Sequence, residues 1–417
     1  MRRPPIFDRL MKRRHFIGTA IAAAITSSVR AADGKQPHIL LRNGWQSINI
    51  GDIAHQMGML EMLEKHLPGA KISFWASNLE NGAKELVQKR FPKTIILEGK
   101  DAISAAIKEC DFMLHGSGSG FVAQKDVGRW RDETNKPYGV FGISFFKNNP
   151  EGIRILNGAK FVYFRDSESM RVAKEQGLTT PIAEFGPDCA FGVVSLRNDA
   201  AADAYLAEKG LEHGKFLCCI PRYRWTPFWT VKKGRAFDPK KDARNQEMKE
   251  HDHAQLREGI IQVVTQTDMK VLICCEDMTQ IPLGKEMIYD KLPEDVKKKC
   301  VWRDKYWLTD EALSVYNRSA GLFGNEMHSP IMCISSGIPA IVCRFKEQTT
   351  KGIMWRDIGL DEWLFDLDDP EKYKRIAPTI LSLAKDPAAA KAKAAKARDF
   401  VFAKQAEEIA TLKKSLP

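Results

Sequence analysis

The feature that most restricts this chain is an alternation of short apolar runs with amphipathic stretches, joined by loops rich in Gly, Asp and Asn. In the first half, residues 38–41, 72–75, 94–97, 112–114, 138–143, 161–164 and 182–185 read as strands. Residues 53–66, 79–91, 102–109 and 167–176 read as helices between them. Strands that alternate with helices in this way form βαβ units, which build a mostly parallel sheet covered by helices. A polar, Ala-rich stretch at 195–214 then separates a second block, with apolar runs at 216–220, 271–274, 300–302, 322–323 and 340–345 and a long helix over 247–267. The expected fold is α/β, with two doubly wound Rossmann-like domains, 33–195 and 215–384, facing a cleft. An Ala/Lys-rich helix within 385–417 closes the chain and should pack Phe400, Phe402, Ile409 and Leu412 on one domain or the other.

Charge separates the chain into parts. The 417 residues carry a formal +11. Residues 1–32 hold seven cations and one anion, and residues 385–417 hold eight cations and four anions, which leaves +1 for the body between them. A nucleic-acid partner would need Lys and Arg clustered on the folded body, so that class is excluded. Lys12-Arg13-Arg14-His15-Phe16-Ile17 precedes a moderately apolar run that ends in small residues near Ala31 and Ala32. That build is an export signal resembling the twin-arginine kind, and it places the mature chain in the periplasm or another extracytoplasmic space. The run is shorter than the roughly 20 apolar residues that span a bilayer, and no later run is long enough, so no stable membrane span is expected after cleavage.

Nine cysteines, two pairs of them adjacent, do not make a disulfide framework, and there is no Cys-x-x-Cys. Most lie in strand-like runs such as 216–220 and 271–275, where a thiol acts as a small buried hydrophobe. His251-Asp252-His253 reads as an exposed polar helix start rather than a metal site. No metal or cofactor is expected.

The chemistry-bearing residues cluster at strand ends, where α/β sheets bind ligands. Asn49-Ile-Gly51-Asp52 follows the first strand and opens a helix, so Gly51 permits a tight turn while Asn49 and Asp52 cap or bind. Gly116-Ser117-Gly118 follows the strand at 112–114, and its backbone N–H groups and hydroxyl could approach an anion. It lacks the Lys-Ser or Lys-Thr of a Walker loop and the spacing of a dinucleotide fingerprint. Arg165 and Asp188 stand at two further strand ends of the first block, and Arg222, Glu326 and His328 at strand ends of the second. The aromatics of Tyr223-Arg-Trp225-Thr-Pro-Phe228-Trp229 can stack on a sugar ring or pack at the domain junction.

This order of motifs resembles the polysaccharide pyruvyl transferase family. The matching pieces are Asn49-Ile-Gly-Asp52, the turn at 116–120, Arg165-Asp166-x-x-Ser169, Pro187-Asp188-x-Ala190-Phe191, His328 with Gly337-Ile-Pro339, and Lys351-Gly352 before Ile358-Gly359-Leu360. The resemblance implies a GT-B-like architecture and transfer of a pyruvyl ketal from phosphoenolpyruvate to a glycan. It implies His328, Asp52 and Arg222 as catalytic residues, with Asn49, Gly51, Gly116, Ser117, Gly118, Arg165, Asp188, Glu326 and Lys351 around the substrates. Guanidinium groups and helix N-termini suit such an anion, and a histidine suits the proton transfer at the enol. Where the family usually has Arg two residues before the histidine, this chain has Glu326, so Arg318, Arg344 or Lys346 would have to reach the donor phosphate instead. That exchange and the export signal keep two alternatives in view, a GT-B-like glycan transferase with another anionic donor and a non-catalytic carbohydrate-binding protein.

Overall fold

A computed structural model describes residues 36–348 and 350–417; the expected export signal over 1–32 lies outside them. The first sheet holds β1 (His38–Asn43), β2 (Lys71–Ala76), β3 (Ile95–Ile96), β4 (Phe112–His115), β5 (Tyr138–Ile143), β6 (Val162–Phe164) and β7 (Ala183–Phe185) in the order β3-β2-β1-β4-β5-β6-β7. The second holds β8 (Phe216–Ile220), β9 (Lys270–Ile273), β10 (Cys300–Trp302), β11 (Gly321–Gly324), β12 (Ala340–Arg344) and β13 (Leu364–Asp366) in the order β10-β9-β8-β11-β12-β13. Every pairing is parallel. The fold is therefore α/β with two doubly wound sheets. β1 and β8 are buried along their whole length, as strands covered on both faces must be.

Strand order reverses between β1 and β4 in the first sheet and between β8 and β11 in the second. At such a reversal the two flanking loops diverge and leave a crevice at the carboxyl ends of the strands. Both crevices face each other, which brings the loops after β1, β4, β8 and β11 into one cleft.

The Ala-rich, helix-prone separator forms a helix, Asp199–Lys209, ended by Gly210 at φ 61. Other local expectations need correction. The long helix begins earlier than periodicity suggests, at Pro239, because Asp238 caps it by accepting from the Lys241 N–H and proline suits a first-turn position. His251-Asp252-His253 therefore lies in mid-helix, and Asp252 and His253 are buried rather than exposed. The closing helix, Pro387–Ser415, touches both halves: Tyr163 of β6 donates to Thr411 at 2.9 Å, and the Arg398 guanidinium lies over Gly337 in the turn before β12. Ile409 and Leu412 are buried as expected, whereas Phe400 stays exposed and only its ring meets Phe185. All nine cysteines are free and buried. Among the described residues no helix is long and apolar enough to cross a membrane.

The burial of Asp252 has a partner. Arg224, just after β8, donates to both Asp252 oxygens at 2.8 and 2.9 Å and pairs with Glu347 at 2.9 Å and Asp368 at 2.8 Å. Removing the cation would leave Asp252 uncompensated in a buried site. Arg224→Met is expected to lower unfolding free energy by about 3–5 kcal/mol, read by urea denaturation.

Candidate active site between the two sheets

The facing crevices enclose a cavity of about 460 Å³, with Asp52 and His55 on one wall and Arg222, Glu326, His328 and Lys351 on the other. A wider depression of about 740 Å³ lies elsewhere, but its Arg318 is already paired with Asp199 at 2.8 Å and Asp203 at 2.6 Å.

The first wall is built from the N-terminus of the helix Ile50–His66. Asn49 Oδ1 accepts the Gly51 and Asp52 N–H groups at 2.7 and 3.2 Å, which fixes the start of the helix. Asp52 and His55 then follow three residues apart and share a face. Behind His55 lies a buried set of polar groups. His55 Nδ1 is 2.8 Å from Asp188 Oδ1 and 2.5 Å from Ser117 Oγ, while Ser117 donates to Asp188 at 3.0 Å. Arg165 donates to the other Asp188 oxygen at 2.9 Å. Burial alone would push the Asp188 carboxyl up, but His55 and Arg165 outweigh it and hold it well below the usual carboxylate range.

On the second wall, His328 opens the helix that follows β11. Its Nδ1 is 2.9 Å from Glu276 Oε1, and Glu276 Oε2 accepts the Ser329 N–H and hydroxyl at 2.7 and 2.9 Å. Its Nε2 is 3.1 Å from His55 Nε2, across the cleft. Gly51 permits this approach, since a Cβ there would lie 2.2 Å from the His328 ring. Burial, followed by the Lys351 charge, pushes His328 well below its ordinary value.

Beside it is an acidic cluster with a cation at its edge. Glu326 Oε1 lies 3.2 Å from Arg222 Nε and accepts from Gln280 Nε2 at 2.7 Å. Burial raises the Glu326 carboxyl to about 7 against the pull of Arg222. Asp277 also rises to about 7, first through burial and then through the Glu326 charge. Burial lowers the Lys351 ammonium, while Glu326 opposes that shift.

Of the residues expected from sequence, Asn49, Asp52, Arg222, Glu326, His328 and Lys351 line the cavity. Gly51, Gly116, Ser117, Gly118, Arg165 and Asp188 do not, each for a local reason. Gly51 and Gly116 make room, the latter for the Asn43 side chain, which a Cβ would meet at 2.0 Å. Gly118 is joined to the sheet through Gly142 O and Ser144 N, so this residue splices into β5, while the next residue of the turn, Ser119, lines the cavity. Arg165 donates through Nε to Ser144 and through Nη1 to Asp188, and Ser117 and Asp188 bond to each other and to His55. Arg318, Arg344 and Lys346 are not at the cavity either, and Arg344 pairs with Asp366 at 2.7 Å. His55, Glu276, Asp277 and Gln280 were not foreseen. A sequence signal existed for three of them: His55 is one turn after Asp52, and Glu276-Asp277 directly follows the apolar run at 271–275.

Among the described residues, His55, Asp188 and His328 are the one group of potential metal ligands. Asp188 faces Nδ1 of His55, so only two nitrogens converge on a common point, fewer than the three protein ligands of a catalytic zinc.

The raised acids make stability pH-dependent. A carboxyl whose folded value lies above its unfolded value stabilises the fold fully below the unfolded value, and that contribution is lost as pH rises through the folded value. Between about pH 4 and about pH 7 the protein should lose stability from Glu326 and Asp277. Asp277→Asn is expected to be more stable than the parent by about 1–3 kcal/mol at about pH 8 and to show a flatter profile, measured by denaturation across that window.

Comparison with known proteins follows the same lines. The solved structure of Anabaena HepE is similar over 91% of this chain and 100% of that one, at 11% identity and a TM-score of 0.55. The UDP-GlcNAc 2-epimerase of Neisseria meningitidis is similar over 90% and 100%, at 10% identity and a TM-score of 0.55. That of Methanocaldococcus jannaschii is similar over 83% and 93%, at 14% identity and a TM-score of 0.54. These likenesses place the fold among GT-B proteins. No curated protein sequence matches the chain significantly. The family model for polysaccharide pyruvyl transferase matches residues 49–346, from the cap of the first cleft helix to the loop after β12. The chain, with His328 and Arg222 facing Asp52 across its cleft, belongs to the polysaccharide pyruvyl transferase family.

Proposed function

We propose that this chain transfers a pyruvyl group from phosphoenolpyruvate onto two hydroxyls of a glycan, releasing phosphate. The observation that carries this reading is the convergence of His328, Asp52, Arg222 and Lys351 on one cavity in a chain of this family. One sugar hydroxyl adds to C2 of the enol while C3 takes a proton from His328, and Asp52 accepts the hydroxyl proton. The second hydroxyl then displaces phosphate from C2, its proton leaving with the phosphate. Arg222 and Lys351 offset the charge of the donor, and the aromatic lip formed by Trp225 and Phe228 offers a face to the acceptor ring.

Glu326 gives donor binding a proton requirement. A phosphate approaching Arg222 displaces the carboxylate that already pairs with it, and a carboxyl raised to about 7 takes up a proton more easily than it remains charged beside an anion. Affinity for phosphoenolpyruvate should therefore fall about tenfold per pH unit above about pH 7, and Glu326→Gln should remove that dependence. Calorimetric binding at two pH values tests this.

The activity test is phosphate release from phosphoenolpyruvate with a panel of sugar acceptors. His328→Gln is expected to lower the rate by about 10²–10⁴, and Trp225→Ala to raise KM for the acceptor with little change in kcat. No release with any acceptor, together with no thermal stabilisation by phosphoenolpyruvate, would overturn the reading. A sugar-nucleotide donor is the second reading, because Glu326 could accept hydroxyls of a ribose and the HepE structures contain UDP and UDP-glucose. Stabilisation by a nucleotide sugar in place of phosphoenolpyruvate selects it. Export through a twin-arginine signal belongs to the same proposal. Replacing Arg13 and Arg14 by Lys should retain the chain in the cytoplasm, as read by cell fractionation.

A further inference from the structure

We infer that His55 and His328 hold a single proton between their Nε2 atoms, an imidazole–imidazolium bridge that fastens the two halves of the molecule across the cleft. Both imidazoles turn Nδ1 toward a carboxylate, at 2.8 Å from Asp188 and 2.9 Å from Glu276. Those carboxylates are committed acceptors. Asp188 takes hydrogen bonds from Ser117, Arg165 and the Ala190 N–H, and Glu276 takes two from Ser329. Each Nδ1 is then a donor, and each Nε2 of a neutral ring would present a lone pair.

Two lone pairs do not rest at 3.1 Å in a buried site. A hydrogen bond at that distance needs one donor and one acceptor, so the pair must carry one proton beyond its two Nδ1–H groups. The charges around the bridge suit one added proton and oppose two. Asp52, Asp188 and Glu276 face the rings from three directions, Arg165 stands behind Asp188, and Lys351 approaches His328 from the loop after β12 with Glu326 and Arg222 next to it. Burial makes a second imidazolium costly, in line with the low value for His328. One proton between the rings satisfies both Nε2 atoms, whereas a second would set two N–H groups against each other at 3.1 Å.

Two consequences follow. His55, on the helix Ile50–His66, is a positioning residue that keeps His328 oriented and supplied with a proton. The bridge also couples proton count to closure, because losing the proton leaves two lone pairs opposed across the interface. This deepens the proposed role of His328, yet its test does not depend on any activity.

Ring-¹⁵N histidine NMR on the wild-type chain is the first measurement. The expected result is two donor-type Nδ1 signals together with one N–H shared between the two Nε2 atoms. Two separate unprotonated Nε2 signals near neutral pH would overturn the inference. The second measurement is unfolding against pH for the wild type and His55→Gln. In the unfolded chain the two rings carry no proton above their ordinary value and two below it, whereas the bridge holds one throughout. The variant keeps His328, neutral in the fold and titrating in the unfolded chain, so the unfolding constant of the wild type relative to the variant should stay level below about pH 6.5 and rise up to about tenfold per pH unit above it. A flat ratio would overturn the bridge. Stoichiometric zinc or another transition metal in the purified protein, lost on substitution of either histidine, would overturn it in favour of a cation between the rings.

Discussion

The contact on which the rest of the molecule depends is the docking of one helix N-terminus into the opposite half. The helix Ile50–His66 starts at the carboxyl edge of the first sheet, yet its first residues bond to the second: the Ile50 N–H donates to Glu276 O at 3.0 Å, and Thr309 donates to Ile50 O at 2.9 Å. Asn49 and Asp277 form an isolated bridge at the same place. One turn on, His55 reaches His328. The backbone bonds set the distance between the sheets, Gly51 leaves space for the His328 ring, and the line from Arg165 through Asp188, His55 and His328 to Glu276 fixes the angle. Cavity side chains carried by two separate sheets are thus held as firmly relative to one another as groups carried by one.

The same interface explains why the cavity carries so many charges while the body between the terminal segments sums to +1. Around the cavity, Asp188 is held by Arg165, Glu276 by the Ser329 hydroxyl and Arg224 by Asp252, so that charges of one sign meet the other sign or a hydroxyl. Glu326 and Asp277 are where this alternation breaks. Two acids adjoin there with Arg222 as the nearer cation, and burial raises both. A chain shaped only for stability would gain little from such a pair, since two buried carboxyls cannot both ionise cheaply. Both stand on the cavity wall, where raised acids of this kind are the pattern of a ligand-binding site.

The repeating strand and helix pattern was legible because its physics is local. A strand such as β5, with six consecutive buried residues, has few other ways to satisfy its backbone and its side chains. Strand ends carry Asp52, Arg222, Glu326 and His328 to the cavity, since topology puts those ends at the crevice. What sequence could not show was the choice between facing the cavity and standing behind it. Arg165 and Asp188 occupy the same kind of position as Arg222, and bonds to Ser144, to each other and to His55 keep them behind the cavity wall. The glycines at 116–118 illustrate the same limit. Their freedom serves close packing on Asn43 and a splice into β5, and nothing in the motif itself distinguishes that from an anion cradle. The first turns of the long helix Pro239–Gln266 are mostly polar, so its cap, and not its periodicity, marks its start.

Glu326 also bears on how this chain departs from its family. An arginine at that position would add a second fixed cation beside Arg222 and hold the donor phosphate at any pH. A glutamate raised to about 7 by burial instead pairs with the Arg222 guanidinium, and under the proposed function a donor must displace it and bring a proton. The site is then partly closed against small anions, because a ligand must offer more than Glu326 already does. Lys351, whose ammonium burial weakens and Glu326 supports, shifts in the same direction: protonating Glu326 removes part of what keeps Lys351 charged. Anion binding, protonation of Glu326 and the charge on Lys351 are consequently one coupled equilibrium, and the histidine pair a few ångströms away lies within its field.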